Sequence, residues 1–221
     1  MTPRPVIAID GPAGSGKSTV ARLVAQRLGF LYIDTGAMYR ALTLKALRTK
    51  ADLNDEEKLG MLAASTDIKL KQESGSLKVY LDGEDVTSGI RTPEVTNNVK
   101  YIARAKPVRT HMVAVQRRLG KEGGTVMEGR DIATVVLPDA DRKFYIDAAF
   151  EVRAQRRYKE LKEGGAAVTE EDVRKDLKIR DDSDINRPIG PLRKAVDSII
   201  VDTTGLTIEG VVDKVLSLIK A

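Results

Sequence analysis

Gly11-Pro12-Ala13-Gly14-Ser15-Gly16-Lys17-Ser18-Thr19 is the stretch in which residue types and spacing most directly specify a chemistry. It fits G-x-x-x-x-G-K-[ST], with Gly11, Gly16, Lys17 and Ser18 at the fixed positions. Glycines let successive backbone N–H groups turn inward on phosphate oxygens, and a following helix aims its positive dipole end at the same anion. Lys17 is expected on the β- and γ-phosphates, and the Ser18 hydroxyl on Mg²⁺. Residues 11–19 are therefore expected to hold ATP or GTP.

Two arginine sets extend the chemistry. Arg153, Arg156 and Arg157 stand at i, i+3 and i+4, one face of a helix. That face is either solvated and paired with Glu160 and Glu163, or a cationic lid over a phosphoryl group in flight, whose charge guanidinium groups stabilise. Gly164-Gly165 would give such a lid its hinge. The second set is Arg180, Asp184 and Arg187, which share a face if their helix runs on. Two cations around a carboxylate suit a ligand carrying a phosphate and a hydroxyl or amine; ion pairing within the set is the plainer alternative. Arg130-Asp131 ends a strand, and Asp34-Thr35-Gly36 with Arg40 follows another; both should reach the same crevice.

The elements needed to position these groups are legible. Val6–Ile9, Leu31–Ile33, Thr125–Glu128, Lys143–Ile146 and Ser198–Val201 read as short buried strands. Helical spacing is expected over 20–28, Ala37–Leu47, Glu56–Ala64, Glu94–Ala105, Val108–Leu119, Glu151–Lys162, Thr169–Asp182 and Ile208–Ile219, and Asp34-Thr35-Gly36 reads as a turn. Strands separated by helices imply an α/β fold, a parallel sheet covered on both faces. Residues 67–88 differ: Asp67–Leu70 and Leu77–Leu81 alternate apolar and polar residues about the turn Glu73-Ser74-Gly75-Ser76, and a second turn leads into a short third strand. This is a small antiparallel lobe inserted in the main fold.

Composition sets outer bounds. The 221 residues suffice for one α/β domain with an insertion; 42% are hydrophobic but only 4% aromatic, with no Trp, so the core is expected to be aliphatic. The absence of Cys excludes disulfides and thiolate zinc sites and suits a cytoplasmic protein. Met1–Pro5 has no apolar signal core, and no stretch is long and apolar enough to imply a membrane partner. The 37 basic and 32 acidic residues leave a net charge of +5. With no lysine/arginine block of five or more, that charge reads as a pocket for phosphates rather than a nucleic-acid surface.

The chain as a whole resembles bacterial cytidylate kinases, P-loop nucleoside monophosphate kinases. The resemblance rests on the phosphate loop, Tyr32–Arg40, Glu128-Gly129-Arg130-Asp131-Ile132, Arg153–Tyr158, Arg180–Asp184 and Val201–Leu206, in order over roughly Val6 to Ile219. It implies a single kinase domain (1–221) built on a five-stranded parallel sheet, with a monophosphate-binding lobe over 35–105 and a helical lid over 153–187. It also implies transfer of the γ-phosphate of ATP to CMP or dCMP with Mg²⁺, by a monomer. By position, Arg40, Arg130 and Arg187 would hold the CMP phosphate. Thr35 and Asp184 would face its sugar, with Arg180 between base and sugar, and Arg109 and Asp131 would read the cytosine. Lys17, Arg153 and Arg157 would act on the transferring group. Cytosine offers an amine donor beside a ring-nitrogen acceptor, which a carboxylate and a guanidinium complement. Lys100 stands where many relatives place a serine that contacts the base. It is expected to face solvent; otherwise Asn97 or Thr96 supplies the contact, or the preference is altered. Lone His111 is expected to be an ordinary helix residue. The rival readings are another small-molecule P-loop kinase, of the adenylate or shikimate type, and a nucleic-acid-binding ATPase.

Overall fold

An apolar run ending in a carboxylate forms the first strand, β1 (Val6–Asp10), whose Ile7, Ala8 and Ile9 are fully buried. Burial on both faces is the condition of a strand inside a parallel sheet. The computed structural model describes residues 4–73 and 75–220. After β1 come α1 (Lys17–Leu28), β2 (Leu31–Asp34), α2 (Thr35–Arg48), α3 (Glu56–Ala64), β3 (Ile68–Glu73), β4 (Ser76–Leu81), β5 (Glu84–Asp85), α4 (Pro93–Arg104) and α5 (Lys106–Gly120). Then follow β6 (Thr125–Gly129), β7 (Arg142–Asp147), α6 (Phe150–Glu163), α7 (Glu170–Asn186), β8 (Ile199–Asp202) and α8 (Ile208–Lys220).

Five strands make one sheet in the order β2-β6-β1-β7-β8, every neighbour parallel. They are the five expected from the apolar runs. The chain first builds to one side of β1, with β2 and β6, and then to the other, with β7 and β8. Ligands in such sheets sit beyond the carboxyl ends, where the winding changes direction. Register matters there: Asp10 lies opposite Gly129, and Asp34 opposite Glu128, so the ends of three strands stand side by side.

Aliphatic side chains fill both faces. Met38, Leu42, Leu59, Val108, Met112 and Met127 form one layer under α2, α3 and α5. Val20, Val24, Phe144, Ile146, Val212 and Val215 form the other under α1 and α8. The expected meander is present as β3-β4-β5 and is antiparallel. Its Val79 and Leu81, with Val86 and Ile90 beyond it, close on Ala37 and Ala41 of α2, so the lobe is fixed to the helix that carries Arg40. Ala154 of α6 and Leu177 of α7 close on Ala13, which seats the two polar helices against the phosphate loop.

Some expectations need correcting. Asp34-Thr35-Gly36 is no free turn: α2 starts at Thr35, and the Asp34 carboxylate caps it by accepting from the Ala37 N–H at 2.9 Å. An aspartate N-cap satisfies a donor that the helix itself cannot. Arg187 does not continue the helix of Arg180 and Asp184. Its backbone is extended at φ −61°, ψ 141°, as the following Pro188 demands. A turn of π-helix over Ile132–Val136 and a 3₁₀ turn over Gly89–Arg91 had no periodic signal. Ser74 of the first meander turn, and Met1–Pro3 of the N-terminal stretch, lie outside the described residues.

Candidate active site

The phosphate loop leaves β1 at Asp10 and enters α1 at Lys17. A Cβ on Gly11 would stand 2.0 Å from the Ile146 carbonyl oxygen, so only glycine lets the loop pass β7. Gly16 precedes the helix at φ 87°, a left-handed conformation glycine adopts without cost. No side chain caps the first turn of α1, so its amides keep their donors for a ligand. The Ser15 hydroxyl is buried without a partner among the described residues. Lys17 is only 6% exposed. Its Nζ lies 3.4 Å from the Pro12 carbonyl oxygen and 3.8 Å from Glu128 Oε2. Burial first, and Arg130 second, lower the Lys17 ammonium to about 8, against the pull of Glu128. Burial and Asp34 in turn raise the Glu128 carboxyl, with Lys17 and the Ser18 side chain opposing. Glu128 also accepts from the Tyr32 hydroxyl at 3.1 Å.

The arginines of α6 diverge rather than act as one set. Arg153 is buried; it donates to the Ala13 carbonyl at 2.9 Å and to the Ala148 carbonyl at 3.1 Å, and pairs with Asp181 at 2.7 Å. It fastens α6 and α7 to the phosphate loop. Arg156 donates to the Thr203 hydroxyl and carbonyl at 2.9 and 2.7 Å, and that hydroxyl donates to the Ser15 carbonyl at 3.2 Å. Arg157 pairs with Glu160 at 2.8 Å and lies close enough to Arg40 and Arg180 to repel both.

Across the crevice, α2 supplies Thr35 and Arg40, α5 supplies Arg109, the end of β6 supplies Arg130 and Asp131, and α7 with the turn after it supplies Arg180, Asp184 and Arg187. The Thr35 hydroxyl donates to the Glu128 carbonyl at 2.8 Å. Arg130 Nε meets Asp184 at 2.6 Å. Burial alone would lower the Arg130 guanidinium, but Asp184 outweighs it and holds it above its ordinary value. Burial would raise the Asp184 carboxyl; Arg130, Arg180 and Arg187 together hold it below. Asp131 is bound on both oxygens, one by Arg109 and the other by Arg187 at 3.0 Å. Arg40 donates to the Thr96 hydroxyl at 2.8 Å. Burial and then Arg180 lower Arg40 to about 10; burial and then Arg130 lower Arg180 to about 10. Arg130, Arg180 and Asp184 also act on Lys17. Sequence positions from 17 to 187 thus form one electrostatic cluster.

The cytidylate kinase family model matches residues 7–221, almost the whole chain. The chain belongs to the cytidylate kinase family. It is 50% identical to a cytidylate kinase of Desulfitobacterium hafniense (strain Y51), over 96% of this chain and 91% of that protein. It is 49% identical to that of Bacillus subtilis (strain 168), over 97% and 96%. Among solved structures, an uncharacterized protein from Eubacterium ventriosum ATCC 27560 superposes with a TM-score of 0.53 at 12% identity, covering 99% of each chain; this likeness shows the fold alone. No described helix is long and apolar enough to cross a membrane.

For a cytidylate kinase, the surroundings of Lys100 are informative. The side chain is exposed, and its Nζ sits 5.3 Å from the Tyr101 ring centroid, on the outside of α4. Thr96, on the same helix, faces Arg40. Three further groups belong to the site although the motifs that contain them assigned them no role: Glu128 beside Lys17, Asp181 beneath Arg153, and Thr203 beneath Arg156. Glu128 had a readable signal, being a carboxylate at the end of an otherwise uncharged strand. The roles of Asp181 and Thr203 depend on partners 28 and 47 residues away.

Proposed function

We infer that this protein transfers the γ-phosphoryl group of ATP to CMP or dCMP, giving ADP and CDP or dCDP. One observation carries the geometric side of this reading. Arg40 and Arg180 sit in the crevice with no carboxylate partner among the described residues, each lowered by burial and by neighbouring arginines. Arg109, Arg130, Arg153, Arg157 and Arg187 all have one. Two unpaired, mutually repelling cations opposite a phosphate loop call for a second anion; the monophosphate of CMP supplies it, held by Arg40 and neighboured by Arg180 at the sugar.

The proposed roles are those the family resemblance assigns by position. Residues 11–19 hold the ATP phosphates, with Lys17 on the β and γ groups. Arg40, Arg130 and Arg187 take the CMP phosphate, and Thr35, Arg180 and Asp184 its sugar side. Arg109 and Asp131 read the base. Arg157 faces the transferring group, whereas Arg153 acts by holding the Ala13 carbonyl and so the loop. Ser18 and Glu128 are hard oxygen donors that fit Mg²⁺. Bound there, Mg²⁺ would neutralise charge on the β- and γ-phosphates.

The nucleophile is an oxygen of the CMP phosphate, already ionised at neutral pH. It forms a bond to the γ-phosphorus as the bridging bond to the β-phosphate breaks, and ADP leaves with the electron pair. No proton needs abstraction, so no general base is assigned. In-line placement and charge neutralisation carry the rate. The lid over 153–187 closes on the 35–105 lobe and excludes water, since a wet site would hydrolyse ATP. An ADP-release assay with CMP, dCMP, UMP, AMP and shikimate tests the assignment. CMP and dCMP should be the best acceptors; faster turnover of AMP or shikimate overturns it.

A further inference from the structure

Asp131 stands where a carboxylate would ordinarily be consumed by its own helix. It directly precedes the π-turn Ile132–Val136, with φ −145° and ψ 29°, and no side chain of its own caps that turn. An aspartate in this position normally folds back to accept the N–H groups two or three residues on. Here both its oxygens face the other way, onto Arg109 and Arg187. The orphan donors of the turn are met from another strand. Asp10 Oδ1 accepts from the Ile132 N–H at 2.9 Å, and Oδ2 from the Ala133 N–H at 2.8 Å. Asp10 is 1% exposed, and the pairing of β1 with β6 sets it opposite Gly129, two residues before Asp131.

We propose that Asp10 is a positioning residue for the acceptor base: by capping the turn that Asp131 begins, it leaves the Asp131 carboxylate for the pyrimidine. This rests on the reading that Asp131 faces cytosine. The same carboxylate ends the strand that enters the phosphate loop at Gly11, so one buried side chain joins the frames of donor and acceptor. An asparagine at position 10 has a single acceptor oxygen, and its NH₂ confronts the second N–H. One donor at the turn is then orphaned. Asp131 stands at the capping position of the same turn and its charge bears on Asp10, so it is the carboxylate that can fold back to meet this donor, giving up Arg109 or Arg187 to do so.

The test is steady-state kinetics of Asp10→Asn with CMP and UMP, beside the wild-type protein. KM for CMP should rise about tenfold or more and the preference for CMP over UMP in kcat/KM fall about tenfold, while KM for ATP moves less than about threefold. In an Asp131→Ala background the Asp10 substitution should add less than about threefold, because its target is gone. Unchanged KM for CMP and unchanged preference overturn the proposal. So do parallel rises in both KM values, which mark general damage to the loop, and full multiplication of the two substitutions. If Asp10→Asn does not fold, Asp10→Ser, whose hydroxyl also accepts, is read by the same criteria. Wild-type turnover separates the two levels: no preference for CMP over UMP refutes the functional reading and this proposal together, whereas normal preference with an indifferent Asp10 variant refutes this proposal alone.

Discussion

Lys17 shows how much a single residue is set by its surroundings. Its place in the loop motif is contiguous chemistry and was legible at once. Its lowered ammonium, at about 8, depends on burial and on Arg130, which no local pattern reports. Lys17→Ala should lower turnover at least about a hundredfold while the circular dichroism spectrum stays native. The pH dependence has a definite sign. The group is protonated below about 8 and loses its charge as pH rises through that value in the empty site, so ATP must then bind with proton uptake. Affinity for ATP, measured by calorimetry, should fall from pH ~7 to ~9.5 in the wild type and stay nearly flat in Lys17→Arg, whose guanidinium remains charged. At Asp131 the expected effect is on selectivity. Asp131→Ala should cut the preference for CMP over UMP by about ten- to a hundredfold, the cost of one buried polar mismatch. An unaltered ratio of kcat/KM for the two would remove Asp131 from base recognition.

Elements bring these residues within reach of one another, and their boundaries are only partly legible in the sequence. Periodicity found the strands and helices because burial on one face or both leaves a repeating apolar signature. It missed the start of α2, where Asp34 is a cap, and the end of α7, where Pro188 turns Arg187 out of the helical row. It also missed the π-turn after Asp131, whose stabilising carboxylate lies more than a hundred residues earlier in the chain. The packing of the loop against β7 gives a prediction at this scale. A methyl on Gly11 would drive into the Ile146 carbonyl at 2.0 Å, and that carbonyl is backbone, which cannot swing aside. Gly11→Ala should therefore lower stability by about 1–3 kcal/mol in urea unfolding and raise KM for ATP. Wild-type values for both would show that the loop has room the packing denies.

Across the whole molecule, seven arginines drawn from α2, α5, the end of β6, α6, α7 and the turn after it gather near the phosphate loop, a number larger than the net charge of +5. Most are held by carboxylates, so the fold tolerates the cluster without ligand. The unpaired ones, Arg40 and Arg180, are where ligand binding should stabilise the protein. At a hundred times its Kd, CMP adds about 2.7 kcal/mol, which for a chain of this size raises Tm by about 5–10 °C; this is checked by scanning fluorimetry. Arg40→Ala should diminish that shift, while the shift caused by ATP alone persists. An undiminished CMP shift in the variant would place the acceptor anion elsewhere.

By itself, the sequence determined the nucleotide loop, the five-stranded α/β plan, the inserted meander and the list of arginines, because each is a matter of residue type at short spacing. Tertiary structure decided which arginine meets which carboxylate, that Arg153 braces the loop, and that Asp10 rather than Asp131 caps the turn after β6. Those outcomes depend on strand register and on partners far apart in the chain, where the energy of a buried charge is fixed by whatever the fold sets beside it.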